Sequence, residues 1–231
     1  MKDIESLLSP RMMMVSRCVK PCEVVYDIGT DHCYIPIYLI QKKVCKKAVA
    51  TDIRQGPIDK ALENIRYFNL SEEIKAFVSD GISHVGEKAN IVISGMGADV
   101  IINILSDHMD YAKKAEQLVI QCQSRTEHLR SFLWENGFSI NKEDLILERA
   151  KVYNAFSANY IGKVESFTHT EAVLSKYLIS SKHPLLQNYI IKHLKKIEDM
   201  IKGMKKSNQS YHQLTLIKKE MEKIHEESKN Y

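Results

Sequence analysis

Five short apolar runs, each of strand length and interspersed with four stretches of helical spacing, restrict this chain more than any other feature. The runs are EVVYDI (23–28), KAVATDI (47–53), IKAFVSD (74–80), NIVISG (90–95) and QLVIQC (117–122). Between them, residues 35–41, 57–69, 99–105 and 126–136 carry the period of helices with one buried face. Strand then helix at this rhythm demands crossover connections, and so a parallel sheet covered by helices on both sides. Two further runs, EDLILERA (143–150) and VYNAFSANYIG (152–162), leave no room for a crossover helix between them. They are predicted to pair as an antiparallel hairpin at one edge, giving an α/β, mostly parallel seven-stranded sheet. An additional helix is expected to start at Ser9, with Pro10 in its first turn.

The texture changes at residue 166. Leu186, Ile190, Leu194, Ile197, Ile201 and Met204 form a heptad-like seam, and Leu214, Ile217, Met221 and Ile224 repeat it after the polar break KKSNQS. Two such segments predict an antiparallel helical coiled-coil hairpin, so residues 1–165 and 166–231 are expected to be separate domains. Charge divides at the same place. Residues 1–165 hold 21 Lys/Arg against 22 Asp/Glu, whereas residues 166–231 hold 12 against 7, a net of +5. A basic appendage on a neutral domain suits a polyanion. No apolar run approaches the roughly 18 residues of a membrane span and no signal peptide is visible, so no membrane partner and a cytoplasmic location are expected. The five cysteines, Cys18, Cys22, Cys33, Cys45 and Cys122, lack zinc-site spacing. They are expected to be buried thiols, with no metal.

In doubly wound sheets ligands bind where the strand order reverses, beyond the carboxyl end of the first strand. A dinucleotide fold writes G-x-G-x-x-G there to seat a pyrophosphate. This chain writes D-I-G-T-D-H-C-Y, residues 27–34. Asp27 and Asp31 repel phosphate and attract a cation, while Gly29 lets the backbone come close. That profile fits S-adenosylmethionine (SAM), which combines a sulfonium, an amino-acid end and a nucleoside without phosphate. Asp52, followed by Ile53, ends the second strand where a carboxylate can accept ribose hydroxyls. Asp80 and Gly81 end the third strand, where the adenine amino group would lie. Ser94, Gly95 and Met96 of SGMG form a glycine-flanked rim after the fourth strand, where cofactor and substrate would meet.

The strings DIGTDHCYIPIYL, TDIRQGPIDKALENI, SDG and ISGMGADVIINIL resemble those of the bacterial TrmK family, the tRNA (adenine-22-N1)-methyltransferases. The resemblance extends from the LSPR segment through the core to the C-terminal hairpin. It implies a class I SAM-dependent methyltransferase fold and methyl transfer from SAM to N1 of an adenine in tRNA. Two stretches depart from the family pattern: QCQS (121–124) replaces the usual Q-P-N, and ERAKVYNAF keeps Lys151 and Tyr153 but loses acidic residues. Both departures lie toward the expected substrate side.

Such chemistry needs no strong base, because N1 of neutral adenine carries an in-plane lone pair and no proton. The product is a cation, so a carboxylate beside it, first of all Asp31, favours its formation. A base-paired adenine must be turned out to expose N1. His32 and Tyr34 are expected to wall its pocket, with Met96 against a face; the alternative for His32 is a role confined to orienting Asp31. Arg11, Arg17, Lys195 and Lys196 are the expected RNA contacts, on a chain expected to act as a monomer. The remaining alternatives are methylation of another RNA or tRNA site and a non-catalytic RNA-binding protein on the same fold. A NAD-type oxidoreductase lacks its glycines here, and an exocyclic-amino methyltransferase would show [DN]-P-P-[YFW] in place of SGMG.

Overall fold

The computed structural model describes residues 3–83, 85, 86 and 88–229. Its seven strands are β1 Cys22–Ile28, β2 Cys45–Asp52, β3 Ile74–Val78, β4 Asn90–Met96, β5 Gln117–Cys122, β6 Phe138–Glu148 and β7 Lys151–Tyr160. They lie in the order β3-β2-β1-β4-β5-β7-β6. The strands β1 to β5 are mutually parallel, and β7 runs antiparallel between β5 and β6. The edge hairpin is therefore the expected one. All six residues of β5 are buried, as befits a strand covered on both faces.

Helices α1 Pro10–Cys18, α2 Tyr34–Gln41 and α3 Gln55–Tyr67 follow the early part of the chain; α4 Ala98–Asp107, α5 Met109–Lys114 and α6 Thr126–Glu135 follow β4 and β5. Alternation along the strands divides the core between the two faces. Val92 and Val119 pack with Ile37, Leu39 and Ile65 on one side. Ile91, Ile93, Leu118 and Ile120 pack with Ile101, Leu105 and Leu129 on the other. Ser9 Oγ accepts from Met12 N at 3.3 Å, which caps α1 ahead of Pro10.

Several boundaries differ from expectation. The sixth strand begins at Phe138, five residues before the expected start, because Gly137 at φ +82 reverses the chain directly after α6. A bulge between Ile140 and Lys142 then realigns it with β7. The third strand stops at Val78, so Asp80 lies in the following turn. Three short helices, α5, α7 His169–Leu174 and α8 Lys176–Ser180, fill regions read as connections. The start of α7 was legible, since Thr168 and Glu171 form a reciprocal capping box.

The helices α9 Leu186–Lys206 and α10 His212–Ser228 form the expected hairpin, with Ile190, Ile197 and Met221 buried in its seam. The same apolar cluster takes in Leu145 of β6, Val152 of β7 and Leu174 and Leu178 of α7 and α8. The hairpin thereby packs against the antiparallel edge of the sheet. Lys192 of α9 is exposed, and its ammonium donates to Val152 O at 2.8 Å, linking the hairpin to β7. Among the described residues no helix is long and apolar enough to cross a membrane, and no cluster of His, Cys, Asp or Glu could hold a metal.

Candidate active site

The chain leaves β1 outward through β2 and β3, then returns to β4 on the other side of β1. That reversal opens a crevice at the carboxyl ends of β1 and β4. Gly29 N and Thr30 N both donate to Thr51 O at 2.8 Å, pinning the turn after β1 to β2. Asn64 of α3 holds it from outside by donating to His32 O at 2.9 Å. Gly29 adopts φ +75, and a Cβ added there would stand 2.0 Å from Met96 Cε. Only glycine meets both conditions without displacing the methionine.

A cavity of about 310 Å3 opens over this turn, lined by Asp27, Gly29, Asp31, His32 and Tyr34. Ser94 and Gly95 close it from β4, Arg11 from α1, and Gln121 and Gln123 from the end of β5. Asp27 is 5% exposed, and burial pushes its carboxyl up to about 6, with the Thr30 side chain partly offsetting the effect. Asp31 differs sharply, with 65% of its side chain exposed and Oδ2 3.4 Å from His32 Nε2. The His32 and Tyr34 rings stack on each other, 5.0 Å apart and 17° from parallel. They are thus joined into one aromatic edge of the cavity.

The remaining expected cofactor residues stand beside the cavity. Asp52 is buried at the end of β2, where its Oδ1 accepts from Arg54 N at 2.8 Å. Ile53 is exposed. Ser79 N donates to Asp52 O at 3.0 Å, which brings the turn carrying exposed Asp80 next to it. Gly81, at φ +62, makes room for His108, whose Cδ2 would lie 2.5 Å from an added Cβ. Met96 reaches the site through its methyl group over Gly29.

Sequence reasoning missed the pair of glutamines. Gln121 Oε1 accepts from Gly95 N at 3.2 Å, fixing the bulge in SGMG where Gly95 takes φ +83. Gln123 N donates to Met96 O at 2.8 Å, and its side-chain amide lies over Gly95, with Nε2 3.7 Å from the position of a Cβ. The alternating Gln-x-Gln spacing at a strand end was the available signal, since such residues share a face. QCQS is therefore laid along SGMG as its direct support.

Gln123 also lines a second, larger groove of about 870 Å3 between the β5 end, β7 and α9. Arg125, Lys151, Lys192 and Lys196 bring positive charge to its walls, and Tyr153 brings aromatic surface. Of the expected RNA contacts, Lys196 is here, with Nζ 2.9 Å from Glu127 Oε1, while Lys195 is exposed on α9. Arg11 is already engaged. Its Nε lies 2.5 Å from Glu148 Oε2 and its guanidinium 4.4 Å from the Tyr153 ring centre. Arg17 is exposed in the last turn of α1 and does not line the cavity.

A family model described as a methyltransferase domain matches residues 8–156. The chain is 34% identical over 174 residues to MG248 of Mycoplasma genitalium, whose name assigns it provisionally to the tRNA methyltransferases; the match covers 72% of this chain and 77% of that one. It is 30% identical over 156 residues to the tRNA (adenine(22)-N(1))-methyltransferase of Bacillus subtilis, covering 67% of this chain and 66% of that relative. In fold it is similar to M. capricolum TrmK, solved in complex with S-adenosyl-homocysteine, with a TM-score of 0.76, 24% identity and coverage of 96% and 98%. The strand order, the glycine turn at its switch point and these likenesses agree: the chain belongs to the methyltransferase-domain family and, within it, to the TrmK family of tRNA (adenine-22-N1)-methyltransferases.

Proposed function

We propose that this protein transfers the methyl group of SAM to N1 of adenine 22 in tRNA. The observation that carries the reading is the junction at Gln123, where a crevice suited to a cationic cofactor meets a basic groove. When bound, SAM supplies a methyl group on a sulfonium that a neutral ring nitrogen can displace. The chain fits it. Asp27 is a buried carboxylate without a cationic partner among the described residues, and Gly29 leaves a cradle that a side chain would fill. Asp27 and Gly29 would hold the amino-acid end, Asp52 and Ile53 the ribose, and Asp80 and Gly81 the adenine ring. Ser94, Gly95 and Met96 would form the rim of transfer.

On the acceptor side, Asp31 is exposed at the cavity mouth, where its charge favours the cationic product. The stacked His32 and Tyr34 offer a wall to a flipped base, and His32 orients Asp31. The Gln123 amide matches the N6–H and N7 edge of adenine, which leaves N1 free. Alignment of donor and acceptor supplies most of the acceleration, worth up to roughly 7 to 11 kcal/mol in well-oriented systems.

The tRNA would run along the basic groove, with Lys195 and Lys196 of the helical unit 166–231 and Arg17 of the methyltransferase unit 1–165 meeting phosphates. Arg11, held by Glu148, would act at the mouth through Tyr153. We place the protein in the cytoplasm as a monomer. Incubation with labelled SAM and unmodified tRNA, followed by mapping of reverse-transcription stops, tests the assignment. A single stop at adenine 22 is expected; a stop elsewhere favours another RNA site, and SAM binding without transfer favours an RNA-binding role alone.

A further inference from the structure

At the end of the sheet opposite the crevice, Cys22 opens β1 and Cys45 opens β2 as direct partners in the parallel register. Their Sγ atoms lie 2.8 Å apart. Neighbouring strands are about 4.7 to 4.9 Å apart, inside the span of about 4.4 to 6.8 Å that a disulfide bridges between Cα atoms. Cys18, Cys33 and Cys122 are each buried singly, and burial pushes all three thiols up. Cys22 is only half-buried, which corrects the expectation of five buried thiols.

We propose that Cys22 and Cys45 form a dithiol site that peroxide converts reversibly to a disulfide. The two sulfurs are unequal. The hydrogen bond from Cys45 lowers the Cys22 thiol, with help from the Asn90 backbone, against burial and the nearby Glu116 and Glu23. Cys45 is raised by the same bond and by burial. Cys22 is therefore the attacking sulfur and Cys45 the resolving one.

Cys22 sulfur attacks one peroxide oxygen, the O–O bond breaks, and a sulfenic acid and water result. Cys45 sulfur then displaces the sulfenic hydroxyl as a second water, forming the S–S bond. The two thiols together supply two electrons and two protons, and the peroxide becomes two waters. A dithiol reductant restores the pair by exchange. The bridge closes the segment that carries Asp27, Gly29, Asp31, His32, Tyr34 and α2 into a loop, a restraint on the cofactor turn applied from its far end.

The test treats the full chain with a small molar excess of hydrogen peroxide, then unfolds and alkylates it. Two of the five thiols are expected to become unreactive, with a loss of about 2 Da and a Cys22–Cys45 peptide on mapping. Dithiothreitol should restore all of them. Cys45→Ser should instead trap an oxygen adduct on Cys22, and Cys22→Ser should keep its remaining thiols reactive. Five reactive thiols after treatment, a bridge between other cysteines, or over-oxidation of Cys22 without a bridge in the unaltered chain would each overturn the proposal. None of these readouts depends on methyl transfer.

Discussion

Arg130 Nη2 stands 2.5 Å from Glu143 Oε1, and neither side chain has any exposed surface. Arg130 comes from α6 and Glu143 from β6, but the pair reaches further. Arg130 Nη1 donates to Ala172 O and Val173 O of α7, its Nη2 also donates to Tyr189 of α9, and Asn154 of β7 donates to Glu143. One guanidinium thus ties the methyltransferase core to the C-terminal helices. Removing one partner strands a buried charge, so Arg130→Met should cost about 3 to 5 kcal/mol. Adding Glu143→Gln to that variant should recover part of the loss. Urea unfolding of the single and double variants decides it; a loss below about 1 kcal/mol for Arg130→Met would remove the ion pair from the account of stability.

Asp27 gives the protein a distinctive pH signature. Burial pushes its carboxyl up to about 6, whereas an unfolded aspartate titrates near 3.9. Between these values the folded chain keeps a proton that the unfolded chain has released, so stability falls as pH rises through about 4 to 6. The full effect is about 3 kcal/mol. Asp27→Asn should remove this slope and leave the variant more stable at pH 7, while its affinity for SAM collapses. Glu127, where burial is outweighed by Lys196 and other hydrogen bonds and charges, and Asp144, paired with His183, are both lowered and contribute slopes of the opposite sign. The decisive quantity is the difference between variant and unaltered protein at pH 4.5 and 7. An unchanged difference would show that Asp27 is ionised at no cost.

Gly29 is tested by space as well as by charge. Gly29→Ala meets Met96 Cε at 2.0 Å and must hold φ +75. The backbone term alone costs about 1 to 2 kcal/mol for a residue with a Cβ. SAM affinity, read by calorimetry, should fall at least about tenfold. Combining it with Met96→Ala should restore the steric share of the affinity and leave the backbone share of the stability loss in place. If the double variant binds no better than Gly29→Ala, the methionine contact is not what the glycine serves.

How far the molecule was legible follows from the range of the interactions. Strand runs such as QLVIQC and the seam from Leu186 to Ile201 announced themselves through local period, because one buried face repeats at fixed steps. The turn that carries Asp27 and Gly29 was legible as a place for a ligand, because it breaks the glycine pattern of a pyrophosphate site, and both residues line the cavity. Arg130 and Glu143 were not, since nothing local distinguishes a buried charged residue from a solvated one until β6 and α9 close over it. The early start of β6 was missed for a related reason: SINKE is polar and partly exposed, and its extended form is set by pairing with β7 and not by its own composition. Gln123 was read as a departure from a family pattern, and its position over Gly95 emerged only when β4 and β5 were side by side.

That position makes Gln123 the sharpest probe of the acceptor side. If its amide holds the N6–H and N7 edge, Gln123→Leu should lower kcat/KM for tRNA by about 10- to 100-fold, the worth of a bidentate adenine contact, and leave SAM affinity unchanged. Loss of activity alone would not distinguish a base contact from a disturbed Gly95. A tRNA with 7-deazaadenine at the target separates them, because it lacks only the N7 acceptor. The unaltered protein should lose activity on that tRNA, and Gln123→Leu should be indifferent to the change. Equal sensitivity to 7-deazaadenine in both proteins would assign Gln123 to the support of Gly95 and leave the reading of the base to the His32 and Tyr34 edge.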